Sequence, residues 1–322
     1  MSAAERGLPA PETLFPVKFI IGSRQILSVP KHLRKVSFTL GDLSEGGVHP
    51  LPPLPDELDG YRILSAPIRS ASQIEQAPRG FIRGGEQRYC RHFIDMAGSF
   101  DSYMNHFSAK TRSTLRRKQR KLERAAVDAG SAVSVREFRG PDEIAEFLEI
   151  ALPLSRRTYQ TRMLDAGLPE DAASHCEMME LAAQDNLRCF LLHFAGEPIS
   201  YLCLPVSGDT VIYAFLGYDP EYARFSPGTV LQMHALESLF TEQRYRYFDF
   251  TEGDGPHKAL FGNRSVAACS YFLLRASFGN WLLLAALDLF DASVARARML
   301  LAKTGALAAV RRAIRRTGAE QT

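Results

Sequence analysis

Tyr213-Ala-Phe-Leu-Gly-Tyr218 runs directly into Asp219-Pro-Glu-Tyr-Ala-Arg-Phe-Ser-Pro-Gly-Thr229, and a helix-forming stretch follows to Glu242. This junction joins a strand candidate, a turn-rich connection and a helix start. A helix start exposes unpaired backbone N–H groups and a partial positive charge, which together suit a pyrophosphate. Pro227 fits the first helical position. Gly228 would admit a close backbone approach, Ser226 and Thr229 offer hydroxyls, and Arg224 adds a fixed cation. The alternative is a well-capped helix after a loop. What precedes the junction weighs between the two.

Working backward, Leu187–Phe194, Ile199–Pro205 and Thr210–Tyr218 read as three strands joined by tight turns at Ala195-Gly196-Glu197 and Ser207-Gly208-Asp209. The two glycines supply the positive φ of hairpin turns. Upstream, Val133–Phe138 alternates as a half-buried strand does. Pro141 opens a helix whose Ile144, Phe147, Leu148 and Ala151 recur at helical spacing, and a second helix covers about Ala172–Gln184. Downstream come a helix over Gly228–Glu242, a strand at Tyr245–Phe250, a short helix, and a strand at Ala267–Arg275. A phosphate-binding turn is expected after the third strand of this meander.

Ser108 can cap a helix that contains eight basic residues between Lys110 and Arg124 against one acid, Glu123. Leu115, Leu122 and Ala126 form its apolar stripe. The chain has 39 Lys and Arg and 36 Asp and Glu, so outside this helix it is mildly acidic. Cations packed this densely repel one another without an anion nearby.

Three runs carry a family resemblance: Ser108-Ala-Lys-Thr-Arg-Ser-Thr-Leu-Arg-Arg-Lys118, Ser226-Pro-Gly-Thr-Val-Leu231 and Phe248-Asp-Phe-Thr-Glu-Gly-Asp-Gly-Pro-His-Lys258. With the element order, they resemble the GNAT superfamily of N-acetyltransferases. Within it they resemble the branch related to cellulose-biosynthesis CelD proteins and to the FemABX aminoacyltransferases. The likeness covers about half the chain, Lys110 to Arg275. It implies an α/β (α+β) fold, a mixed, mostly antiparallel sheet flanked by helices. It also implies acyl-CoA as co-substrate, with no permanently bound cofactor, and an amine acceptor. Two departures stand out: the pyrophosphate loop has one glycine preceded by proline, and His257 stands where the family usually has tyrosine. The sequence is also similar to what is expected of bacterial ceramide synthases, which would imply a long-chain donor and a sphingoid amine.

Acylating an amine needs a neutral nitrogen, a stabilised oxyanion and a proton or positive charge for the leaving thiolate. Asp249, Glu252, Asp254 and His257 are candidate bases or orienters, and Lys258 can neutralise an oxyanion or a phosphate. The alternative is a solvated acidic turn leading into a helix. Arg112 and Lys118 join Arg224, Ser226, Pro227, Gly228 and Thr229 as candidate contacts to the CoA phosphates. His234, between Met233 and Leu236, reads as a core histidine.

The remainder is less specific. Residues 1–16 read as a disordered terminus and 17–107 as a small α+β unit, open to reading as a degenerate second copy. Within it, Val17–Ile21, Tyr61–Ala66 and Arg88–Asp95 are strand candidates and Gly41–Pro55 a loop. The acyltransferase domain is expected over 108–276. Residues 277–322 read as a C-terminal amphipathic helical segment, whose apolar part, Ser277–Asp291, is too short and too interrupted by Asp288 and Asp291 to span a bilayer. A cationic amphipathic tail follows, with Arg296, Arg298, Lys303, Arg311, Arg312, Arg315 and Arg316. An anionic membrane surface is therefore a candidate partner. Nucleic acid is not expected, since no aromatics interleave the basic helix. The five cysteines are scattered, with no metal-ligand spacing, so no metal site is expected, and a cytoplasmic protein, peripheral on the inner face of the membrane, fits best. FemABX-like aminoacyl transfer, exopolysaccharide-associated acetylation and a non-catalytic membrane- or nucleic-acid-binding role are the competing readings.

Overall fold

Strands covered on both faces lack strict apolar–polar alternation, and Leu187–Phe194, interrupted by Arg188 and His193 alone, has that pattern. In the computed structural model it is a central strand buried along most of its length. The structure describes residues 13–22, 24–45, 50–68, 78–158 and 167–303. The elements in chain order are β1 (Thr13–Leu14), β2 (Val17–Ile21), β3 (Arg24–Val29), β4 (His32–Ser37), α1 (Leu40–Glu45), β5 (Gly60–Pro67), β6 (Phe81–Asp95), α2 (Phe100–Asn105), α3 (Ala109–Asp128), β7 (Val133–Phe138), α4 (Pro141–Arg157), α5 (Ala172–Ala183), β8 (Leu187–Phe194), β9 (Glu197–Ser207), β10 (Thr210–Ile212), β11 (Phe215–Tyr218), a 3₁₀ turn (Pro220–Phe225), α6 (Pro227–Glu242), β12 (Tyr247–Asp249), α7 (Pro256–Phe261), β13 (Arg264–Arg275) and α8 (Phe278–Lys303).

The described chain divides into two units. One is Cys90–Val266; the other joins 13–89 to 267–303. The unit borders fall inside β6 and β13, whereas the sequence places its domain borders at 107/108 and 276/277.

In Cys90–Val266 the strands run in the order β6, β12, β10, β9, β8, β7, and β11 also pairs with β9. Every pairing is antiparallel except β10 with β12, the mixed, mostly antiparallel sheet expected. Leu187, Cys189 and Leu191 of β8 pack with α4 and α5 through Ile144, Phe147, Ala151 and Met178. Phe190 and Leu192 point the other way, into a core with Leu115 and Leu122 of α3 and Leu231, Leu236 and Leu239 of α6. Ser108 caps α3 by accepting the Thr111 N–H, and Leu115, Leu122 and Ala126 are its buried stripe, as expected.

The third meander strand is not continuous. Val211 faces Val206, but Phe215 faces Cys203, so four residues advance on one strand against three on the other. This is a β-bulge at Tyr213-Ala214. Beyond it β11 keeps β9 as its strand neighbour, while β10 is held between β9 and β12.

In the other unit, β1 pairs with β4, β4 runs parallel to β5, and β5 pairs with the Ala268–Leu274 part of β13. β2 and β3 form a separate hairpin. Two expectations change here. Part of the expected loop Gly41–Pro55 is α1, whose start is fixed by reciprocal bonds between Thr39 and Asp42. The apolar C-terminal segment is not short: α8 is 26 residues long, and Phe278–Ala297 suffices by length and composition to cross a membrane. Of the terminus expected to be disordered over residues 1–16, residues 1–12 lie outside the described residues, as does the cationic tail beyond 303, whereas Thr13–Leu14 is ordered as β1 against β4.

Candidate active site

Lys118 ties the two expected halves of the site together. It projects from α3, its Nζ lies 3.4 Å from Thr229 Oγ1 in the first turn of α6, and its charge acts on His257 of α7. Burial lowers its own pKa. One turn along α6 from Gly228 lies Gln232, fully buried, whose Oε1 is 2.7 Å from His257 Nε2. A carbonyl oxygen only accepts, so Nε2 carries the proton and Nδ1 keeps the lone pair. Gln232 Nε2 has no hydrogen-bond partner. A buried donor left in that state costs about 1–3 kcal/mol.

His257 is accessible to solvent, yet its ring is seated 4.7 Å from the Phe261 centroid, with Tyr213 and Phe250 farther off. That burial, then Lys118 and Lys258, push its pKa down from 6.5. The pKa of Lys258 is also lowered, by burial first, with Arg91 adding to it and Glu252 and Asp249 opposing. Its Nζ donates to the Glu252 carbonyl.

The carboxylates are differently employed. Asp249 is buried at the end of β12 and takes both the Nε and an Nη of Arg91, as well as the Thr251 N–H at 2.9 Å. Asp254 is exposed and its Oδ1 lies 3.0 Å from His92 Nε2. Neither is placed against His257. Arg112 donates to the Phe107 carbonyl at the start of α3. His234 is half-buried rather than in the core.

At the start of α6, Ser226 sits at φ 56° and caps nothing with its side chain. Pro227 has no N–H, and the Thr229 and Val230 N–H groups both return to the Ser226 carbonyl. The helix start therefore offers fewer free amides than expected, and positive charge comes from side chains: Lys118, Lys121 bonded to the Arg224 carbonyl, and Arg224 over the Phe225 ring at 4.7 Å. Gly228 also has a different reason for being glycine. A Cβ there would meet Leu216 Cδ2 at 2.9 Å, so the glycine lets α6 pack on β11.

Arg91, His92 and Gln232 did not emerge from the sequence. The first two come from β6, more than 150 residues from their partners, and no local pattern signals such a pairing. Gln232 had a signal: it lies at i+4 from Gly228 and so shares its face.

Residues 109–259 match the acetyltransferase (GNAT) domain family. The matched segment runs from α3 into α7 and includes Lys118, Thr229, Gln232, His257 and Lys258. This segment, a little under half of the chain, is similar to a GNAT acetyltransferase domain. No curated protein matches the chain. Among solved structures, the C-terminal domain of a putative lysylphosphatidylglycerol synthetase from Agrobacterium fabrum is similar at 13% identity and a TM-score of 0.45, over 71% of each chain. L-PGS from Bacillus licheniformis is similar at 14% identity and 0.44, over 73% of each chain. FemX is similar at 12% identity and 0.42, over 68% of this chain and 73% of its own.

Proposed function

We propose that this chain transfers an acyl group from acyl-CoA to a primary amine. The observation that carries the reading is Lys118, which stands between a cation-rich helix start and a histidine held neutral. The CoA phosphates lie along Lys118, Lys121 and Arg224 at the start of α6, and the thioester arm follows β11, which has β9 as its strand neighbour. The amine nitrogen attacks the thioester carbonyl as its proton passes to Nδ1 of His257. The N–C bond forms, the carbonyl electrons move to oxygen, and the Lys258 ammonium faces that charge. Collapse breaks the C–S bond, and the imidazolium returns its proton to the thiolate. Asp249 and Arg91 hold the end of β12, from which the His257 turn departs.

The test is amide formation, followed by mass spectrometry and by free-thiol release, with acyl-CoA of graded chain length and a panel of primary amines. The reading predicts one thiol per amide and loss of both in His257→Ala. Thiol release without amide, or full turnover in the variant, contradicts it. The sphingoid acceptor and long-chain donor implied by the ceramide synthase resemblance have no support among the described site residues, so the acceptor is proposed as a primary amine only.

One observation favours a second donor. Lys110, Arg116, Arg117, Arg120, Lys121 and Arg124 are all exposed on α3, a longer cationic face than a CoA requires. It suits the backbone of an aminoacyl-tRNA, whose binding would weaken steeply with salt. Transfer from aminoacyl-tRNA with no transfer from any acyl-CoA would select that reading.

A further inference from the structure

Twelve large apolar side chains are exposed among the described residues, and ten of them lie on two elements of the unit that joins 13–89 to 267–303. Six are on α8: Phe278, Trp281, Leu282, Leu289, Met299 and Leu300. Four are on the β2–β3 hairpin: Ile20, Ile21, Ile26 and Leu27. At 100° per residue the six on α8 fall on one stripe, opposite the buried Asn280, Leu284 and Leu287. Phe278 and Trp281 stack on that stripe at 6.0 Å. An aqueous surface gains nothing from such a stripe, and contiguous exposed apolar surface marks an interaction site.

The geometry points to an anionic lipid bilayer as the partner, with α8 lying in the plane of the membrane interface and the β2–β3 hairpin dipping beside it. Charge selects this occupant. From Ala292 to Thr322 the sequence has Arg296, Arg298, Lys303, Arg311, Arg312, Arg315 and Arg316 against one acid, Glu320. An apolar face with aromatic anchors and adjoining cations is the composition of an interfacial helix.

The seating of α8 decides against a crossing. Leu284 and Leu287 are packed with Val17, Phe19 and Phe272, and Phe290 meets Phe19 edge-on at 5.3 Å. Asp288 accepts the Gly85 N–H at 2.7 Å. Gly84 and Gly85 are open to this approach, since a Cβ on either would come within 3 Å of Leu284 or Leu287. A helix crossing the bilayer would abandon these contacts and carry Asp288 and Asp291 into hydrocarbon, where charge is costly. Lying flat keeps the packed face on the protein and presents only the outer stripe to lipid.

Trp281 is the chain's single tryptophan, so its fluorescence reports this face alone. The full chain is titrated with vesicles of phosphatidylcholine, alone or mixed with phosphatidylglycerol, and binding is also read by flotation. The inference predicts a blue-shifted emission and flotation with the mixed vesicles, both reversed by salt, and release of bound protein by alkaline carbonate without detergent. Leu282→Asp with Leu289→Asp, both at exposed positions that leave Trp281 in place, lowers partitioning by about tenfold or more. Equal binding to neutral vesicles, no binding, or release by detergent alone overturns it. So does a blue shift that grows with protein concentration in the absence of vesicles, which would mean a second copy covers the face. None of these readouts depends on catalysis.

Discussion

In the proposed reaction, His257 gives the site its dependence on pH. Burial of its ring, Lys118 and Lys258 all disfavour the imidazolium, so its pKa lies below 6.5. A general base works in its neutral form, so kcat/KM should rise with pH through a value below 6.5 and level off above it. The same shift has a sign for stability. The unfolded chain takes up a proton at this histidine before the folded one does, so the fold gains stability above 6.5 and loses it as pH falls. His257→Gln should cut kcat by about 10²–10⁴-fold with little change in CoA affinity. Unchanged turnover in a folded His257→Gln protein would place the base elsewhere. Asp249 calls for a different experiment. Because Arg91 holds it in a buried pair, Arg91→Ala should cost about 3–5 kcal/mol in urea unfolding. Replacing both partners by Leu and Met should recover much of that loss. If the single change is neutral, the pair has no structural part. The sequence showed Asp249 and Asp254 as acids near a histidine because they are near it in the chain. It could not show that β6 supplies Arg91 to the one and His92 to the other.

At the scale of elements, α3 and the start of α6 form the part of the site most legible beforehand. The Ser108 cap, the Leu115–Leu122–Ala126 stripe and the helix at Pro227 all follow from local rules that act within one or two turns. The bulge at Tyr213-Ala214 does not, because it depends on the register of β9 against two different partners. Lys118→Ala should weaken donor binding and also raise the pH of the acid limb of the rate profile, since one of the charges depressing His257 is gone. A KM change without that movement would mean Lys118 and His257 are not coupled. Gly228→Ala brings a Cβ against Leu216 and should lower stability by about 1–3 kcal/mol, read as a drop in Tm. A Tm equal to that of the parent would show that Leu216 yields freely.

Across the whole molecule, the strand and helix order from Val133 to Tyr245 was readable because each element there has a short-range period and tight turns. In the first third the strand candidates Val17–Ile21, Tyr61–Ala66 and Arg88–Asp95 were readable, and all three fall on strands; their arrangement was not, since β5 pairs with β13, some two hundred residues away, as Tyr61 does with Leu273. The unit borders inside β6 and β13 have the same cause: a strand shared in this way leaves no composition change to mark the border. The outer face of α8 was visible as apolar sequence, but only its seating through Leu284, Leu287 and Asp288 distinguishes a helix laid on a surface from one that crosses it. The central claim is that the start of α6, with the cations beside it, holds the acyl-CoA. Calorimetric titration of CoA into the full chain tests it most directly, with the Lys118→Ala, Arg224→Ala double variant as the control. The account predicts saturable binding by the parent chain and an affinity at least about tenfold lower in the variant, each charge-assisted contact being worth roughly 1.5–3 kcal/mol. No saturable binding by the parent chain, or equal affinity in the folded variant, would contradict it.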